Sequence, residues 1–100
     1  MDETRFMAEV EAVERGRPGL SMLHAGLLVA LREGLAADTR SFARVFGVAH
    51  ALVLRAANEL SDEHALVEET GRDSRTQRAR LALTAAGRRL FERAVQPIAA

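Results

Sequence analysis

Arginine side chains carry most of the chemistry available to this chain. All 14 basic residues are arginine, and seven of them fall within residues 70–100. Only Asp73 and Glu92 oppose these seven, so that segment has a net charge of +5. A guanidinium stays charged and donates several hydrogen bonds in one plane, which suits phosphate oxygens. The candidates for such contacts in residues 70–80 are Arg72, Arg75, Arg78 and Arg80. The alternative is a solvated hairpin that happens to be rich in arginine.

Other kinds of chemistry lack the residues they need. The chain has no cysteine, which excludes disulfides, thiolate catalysis and thiolate metal sites. The three histidines, His24, His50 and His64, fall in separate elements without a ligand-type partner at i, i+4. No nucleophile elbow and no glycine-rich nucleotide-binding motif is present. We therefore predict a non-enzyme that uses no metal and no cofactor, with His24 as a core or interface histidine.

Composition indicates one folded domain that spans residues 1–100. Hydrophobic residues make up 48% and charged residues 28% of the chain, as in globular proteins. No apolar run approaches the roughly 18 residues of a membrane span, and the N-terminus lacks the form of a signal peptide. We expect a cytoplasmic protein with no membrane partner. The formal net charge of zero argues against strong non-specific binding to nucleic acid.

The arginines need a scaffold, and residues 38–60 have the form of two short helices joined by a tight turn. Asp38 or Thr39 can cap the first helix by accepting a hydrogen bond from a free backbone N–H. An apolar stripe at i, i+3 and i+4 spacing follows, made of Phe42, Val45 and Phe46. Gly47 suits the positive φ of the turn.

The second of these helices begins at about His50. Its predicted inner face holds Val53, Ala57 and Leu60. Two helices with a glycine turn form the helix-turn-helix pattern, whose second helix can enter a DNA major groove. Short helical hairpins of this kind also occur in ordinary cores, so the pattern alone leaves both interpretations open.

A β-hairpin is predicted after the two helices. Ala65–Glu69 has the pattern of a short strand, and Arg78–Leu83 alternates apolar and polar residues, with Ala79, Leu81 and Leu83 inward. The polar residues 70–76 between them form the expected tip. Thr84 can then cap a final helix that runs to about Val95.

Two further helices precede the helix-turn-helix. Residues 2–15 place Phe6, Met7, Val10 and Val13 on one face. That face could dock on a second subunit, or it could pack on the final helix of the same chain. Residues 22–32 are apolar nearly all round, with Ser21 as the cap and Gly34 as the stop, which predicts a buried helix.

The chain resembles the MarR-type winged helix-turn-helix regulators of bacteria. The resemblance covers roughly residues 20–95, and it rests on motifs around Phe42, Gly47–Val48, Leu66–Val67, Asp73–Arg75 and Thr84–Gly87. It implies a mainly helical α+β fold with a small β-hairpin wing, and a homodimer in which residues 1–16 take part. Two departures stand out: Ala49 replaces the usual Ser or Thr, and Ala65 falls where the family usually has Gly.

The resemblance implies a DNA-binding transcription regulator. Helix 50–60 would lie in the major groove of double-stranded DNA, and the wing at residues 70–80 would contact the backbone or the minor groove. Asp73 would steady Arg75 through an ion pair. The candidate DNA contacts are His50, Ala51, Leu54, Arg55, Asn58, Arg72, Arg75, Arg78 and Arg80.

A second interpretation comes from the predicted recognition helix. Ala49, Ala51, Leu52 and Leu54 are apolar, whereas residues that read bases are usually polar. An exposed apolar helix face more naturally meets a protein. The alternative hypothesis is therefore a winged-helix module for protein–protein interaction.

Overall fold

The computed structural model describes the backbone of residues 1–94 and the side chains of residues 1–93. This part of the chain is mainly helical with a small antiparallel hairpin, compatible with a winged-helix-like α+β fold. Its elements are α1 (Glu3–Gly16), α2 (Met22–Glu33), α3 (Thr39–Phe46), α4 (His50–Asp62), β1 (Val67–Arg72), β2 (Ala79–Leu83) and α5 (Ala85–Ala94). The predicted end of the last helix at Val95 lies outside the described residues.

Three helices, α2, α3 and α5, begin at the predicted caps Ser21, Asp38 and Thr84, and α1 begins at Asp2, for which no cap was predicted. The side chains of Asp2, Ser21 and Asp38 accept hydrogen bonds from the backbone N–H three residues later in α1, α2 and α3. The Thr84 hydroxyl does the same for Gly87 in α5, at 3.1 Å. These bonds satisfy N–H groups that have no partner within a helix.

The turn of the helix-turn-helix has the predicted geometry at Gly47. Its φ of +65° is left-handed, and its N–H donates back to the carbonyl of Ala43. The inner face of α4 is buried as expected at Val53, Ala57 and Leu60. Val45 was predicted to be part of the apolar stripe of α3, but 57% of it is exposed. Ala43 lies in the core in its place.

The apolar face of α1 packs within the chain. Val10 and Val13 are 1% and 0% exposed, and the Phe6 ring lies 5.0 Å from that of Phe46 in α3. The buried carboxylate of Glu9 in α1 also bonds Arg32 of α2 at 3.1 Å. Of the two interpretations of residues 1–16, packing inside the chain is therefore correct for this face, and a dimer would need another surface.

The first strand of the hairpin begins and ends later in the chain than predicted. β1 begins at Val67 instead of Ala65 and continues to Arg72, so the tip comprises residues 73–78. The register pairs Val67 with Leu83 and Arg72 with Ala79, with a bulge between Glu69 and Gly71. The inward positions of β2 are confirmed at Ala79 and Leu81, which are buried, and Leu83 is partly buried against the core.

The other edge of β2 is covered by the segment that leads into α3. The N–H of Leu81 donates to the carbonyl of Ala37 at 2.9 Å, and Asp38 forms an isolated antiparallel bridge with Arg80. This contact places the start of α3 beside the hairpin. Among residues 1–94, no helix is long and apolar enough to cross a membrane.

Candidate nucleic-acid interface

The hydroxyl of Thr39 joins three elements at one buried point. Thr39 is the first residue of α3 and is 0% exposed. Its oxygen accepts the backbone N–H of Ala79 in β2 at 3.0 Å, and it lies 2.8 Å from Nε2 of His50 in α4. A buried hydroxyl needs an acceptor for its own proton, and Nε2 is within reach. We call this set of contacts the Thr39 joint, and it fixes the hairpin against both helices.

Two arginines reinforce the joint on its outer side. Nη2 of Arg40, in the first turn of α3, donates to the carbonyl of Thr76 in the hairpin tip at 3.1 Å. Nε of Arg78 lies 3.5 Å from the carboxylate of Asp38, the cap of α3. Both arginines remain open to solvent, so their other N–H groups can reach a ligand.

The charges around the joint act on the ring of His50. Burial and the charge of Arg40 lower the pKa of His50, Asp38 acts in the opposite direction, and Arg72 and Arg78 lower the pKa further. The surroundings therefore favour the neutral form of the ring. Arginines from α3, β1 and the hairpin tip are thus close enough to form one positive surface beside the start of α4.

Asp38, the acid that caps α3 beside this surface, is kept ionised. Burial acts to raise the pKa of Asp38, but hydrogen bonds from the backbone N–H and hydroxyl of Ser41, at 2.8 and 2.9 Å, outweigh it. The charge of Arg78 adds to the effect, and the pKa is lowered overall. Asp38 therefore offsets the charge of Arg78 and Glu69 offsets that of Arg72, whereas Arg40 bonds a backbone carbonyl and keeps its positive charge.

The outer face of α4 offers a small set of polar groups. Ala51, Arg55 and Asn58 are exposed, as a helix that enters a groove requires, and Nε of Arg55 lies 3.6 Å from Glu59. Leu54 is partly buried against the core, so less of it is available to a base than predicted. Ala49 gives α4 no side-chain cap, in line with the departure seen in the sequence.

The remaining predicted contacts lie on the hairpin. Arg72 is committed within it, because Nε donates to Glu69 at 2.9 Å and Nη1 to Gln77 at 3.0 Å. Arg75 and Arg80 are exposed. Among the described side chains, no ion pair joins Asp73 to the guanidinium of Arg75, which corrects the prediction.

Asp73 stabilises the hairpin tip in another way. Its Oδ1 accepts the backbone N–H of Arg75 at 2.9 Å and that of Thr76 at 3.3 Å. These two hydrogen bonds close the turn. They involve only the backbone N–H groups of Arg75 and Thr76, so Asp73 does not fix the orientation of the Arg75 guanidinium. The role of Asp73 in shaping the wing therefore depends on backbone hydrogen bonds.

A second histidine, His24 of α2, forms a hydrogen bond with Glu59 of α4. His24 accepts the N–H of Ser21 at Nδ1, 3.0 Å away, so its proton is on Nε2, which donates to Glu59 at 2.8 Å. His24 is 8% exposed, as predicted for a core histidine. Within residues 1–93, no group of three or more His, Asp or Glu side chains could hold a metal ion.

Two members of this surface were not singled out in the sequence. Thr39 was considered only as a cap, and Arg40 was assigned no role. The position of Arg40 directly after the capping pair was the one available signal, and its contact with the hairpin tip, 36 residues later, is seen only in the structure. Comparison with protein-family models, curated proteins and solved structures finds no match to this chain.

Proposed function

We propose that the protein is a DNA-binding transcription regulator of MarR-like, winged-helix type. The observation that carries this proposal is the Thr39 joint, which holds α3, α4 and the hairpin as one unit with exposed arginines around it. A helix beside a rigid basic hairpin suits a duplex, because the helix can enter a groove while the hairpin contacts the backbone.

The exposed residues of the hairpin and those of α4 are expected to contribute to DNA binding in different ways. Arg75, Arg78 and Arg80 are open to solvent and would contact phosphates or the minor groove, a contribution that does not depend on sequence. On α4, Arg55 suits a guanine edge and Asn58 an adenine edge, and each good pair gives roughly 1–3 kcal/mol of discrimination. This small set predicts modest sequence specificity.

A homodimer is part of the proposal. Regulators with a single recognition helix per chain gain specificity by binding two half-sites about one helical turn apart. Since the apolar face of α1 is buried within the chain, the contact between the two subunits would use other surfaces. Met1 and Met22 are 47% and 61% exposed and are candidates for it. Sedimentation at tens of micromolar protein, compared between wild type and Met22→Glu, tests this element.

The experiment that tests DNA binding is a salt titration of affinity. Fluorescence anisotropy with duplex DNA should show that Arg75→Ala weakens binding to all sequences alike. If Arg75 neutralises one phosphate, the slope of log affinity against log salt should become shallower by about 0.9. Arg15→Ala is the matched control, because Arg15 is exposed on α1, away from the hairpin. Equal slopes for the two variants would exclude this role for Arg75.

A protein-interaction module is the second candidate. It is favoured by the exposed apolar side chains of the helix-turn-helix, with Val45 at 57% and Leu52 at 52% exposure. Leu52→Asp should preserve the fold. The same substitution at Leu54 would also reduce stability, because Leu54 packs against the core, and loss of binding could not be separated from loss of folding. In a DNA regulator, Leu52→Asp weakens duplex binding by adding a negative charge. In an interaction module, duplex binding is absent in the wild type already.

A further inference from the structure

Three side chains from three elements meet around the Thr39 joint. Arg40 comes from α3 and is held by its bond to the carbonyl of Thr76, while Arg78 comes from the hairpin and is held by Asp38. His50 comes from the first turn of α4 and is held by Thr39 at 2.8 Å. Each side chain is oriented by a neighbour before any ligand arrives, which reduces the entropy lost on binding.

The charges at this point do not cancel. Asp38 favours the protonated ring of His50, and its oxygens already accept two hydrogen bonds from Ser41. Arg72, the third nearby arginine, is paired with Glu69. Arg40 has a carbonyl as its partner, which leaves its full charge uncompensated. An anion placed between Arg40 and Arg78 would therefore be stabilised by both guanidinium groups.

His50 can add a hydrogen bond to the same anion. Nε2 lies 2.8 Å from the buried Thr39 hydroxyl, and if that hydroxyl is the donor, the proton of the neutral ring is on Nδ1. This N–H is a donor that the joint does not use. The ring lies where α4 meets the hairpin, and its hydrogen bond to Thr39 fixes its orientation. It is therefore poorly suited to form hydrogen bonds with a base edge in a groove.

We propose that Arg40, Arg78 and His50 form a binding site for one phosphate group of the DNA backbone. This inference rests on the function proposed above, and it assigns His50 to a phosphate instead of a base. It also adds Arg40 to the interface. The phosphate would be held where the hairpin meets α3 and α4, so that a single contact sets the position of both the wing and the recognition helix.

The first test follows the imidazole titration of His50 by NMR, with His24 and His64 as internal references. A nearby anion favours the protonated ring, so duplex DNA should raise the titration midpoint of His50. Sodium sulfate, compared with sodium chloride at equal ionic strength, should do the same in the absence of DNA. Arg40→Ala should reduce both responses. Arg44→Ala should leave them unchanged, since Arg44 lies one turn later on the same helix, whereas Arg40 is the residue that bonds the hairpin tip.

The second test measures duplex affinity in the same variants. Arg40→Ala should weaken binding roughly ten- to a hundredfold, as expected for a hydrogen bond between charged groups, and should make the salt slope shallower by about 0.9. Arg40→Lys keeps the charge and should restore the slope. If duplex is bound while the His50 midpoint stays unchanged, the inference is wrong and the proposed function stands. If sulfate raises the midpoint but no duplex is bound, the anion site stands and the proposed function fails.

Discussion

Thr39→Val removes the Thr39 joint while it preserves the shape of the side chain. The hydroxyl is fully buried and bonds the N–H of Ala79 at 3.0 Å and Nε2 of His50 at 2.8 Å. Valine has a methyl group in place of the hydroxyl, so the N–H of Ala79 loses its acceptor. Leaving one buried donor unsatisfied costs about 1–3 kcal/mol. The imidazole of His50 is partly exposed, and water can replace its bond at little cost.

The matched control is Thr39→Ser, which keeps the hydroxyl and loses one methyl group, worth about 0.8 kcal/mol. Denaturant unfolding gives the two free energies, and hydrogen exchange of the Ala79 amide reports on the joint itself. We expect the valine variant to lose more stability than the serine variant and to lose protection at Ala79. Duplex affinity should fall with it, because the hairpin is no longer fixed against α4. Equal stability of the two variants with a protected Ala79 amide would refute this reasoning.

Three other predictions concern glycine, backbone strain and pH. Gly87→Ala places a Cβ 2.2 Å from the carbonyl oxygen of Leu66, so it should destabilise the fold by about 1–3 kcal/mol or more, whereas Gly26→Ala meets nothing closer than 3.9 Å and should be neutral or stabilising in thermal unfolding. Ala65→Gly should stabilise the protein by about 1 kcal/mol in denaturant titrations, because Ala65 has a φ of +54° that costs an alanine about 1–2 kcal/mol. A loss of stability in Ala65→Gly would contradict the argument from strain. His50 has a pKa below its ordinary 6.5 in the folded protein, so its contribution to stability is full above that value and is lost as the pH falls. The decline in unfolding free energy from about pH 7 to 5 should therefore be smaller in His50→Gln, and equal declines would exclude His50 as its source.

The helices and their ends could be predicted because local signals determine them. Capping side chains at Asp2, Ser21 and Asp38, and the left-handed glycines at positions 34 and 47, act within one turn of chain. The hairpin was placed less accurately. β1 extends past the apolar residues into the polar residues 70–72. Its pairing with β2 stabilises this part of the strand, where the hydrophobic pattern ends.

The candidate site depended on contacts between residues far apart in sequence. Thr39 and Ala79 are 40 residues apart, and no periodicity shows that one hydroxyl serves both β2 and His50. The resemblance placed Arg75 at the wing tip, but not the backbone bonds through which Asp73 holds that tip. The docking of α1 was left open because its apolar stripe fits a subunit or the core equally well. The burial of Val10 and Val13 and the contact between Phe6 and Phe46 show that this stripe packs within the chain.

The most direct test of the account is selection of bound sequences from a randomised duplex pool with the folded wild-type protein. A winged-helix regulator that acts as a dimer should enrich an inverted repeat whose half-sites lie about one helical turn apart. Arg55→Ala should flatten the preference at one position of each half-site, and Arg75→Ala should weaken recovery of all sequences alike. If the folded protein enriches no sequence and binds no duplex above background, the central claim is contradicted, and the exposed apolar side chains of the helix-turn-helix would then indicate an interaction module.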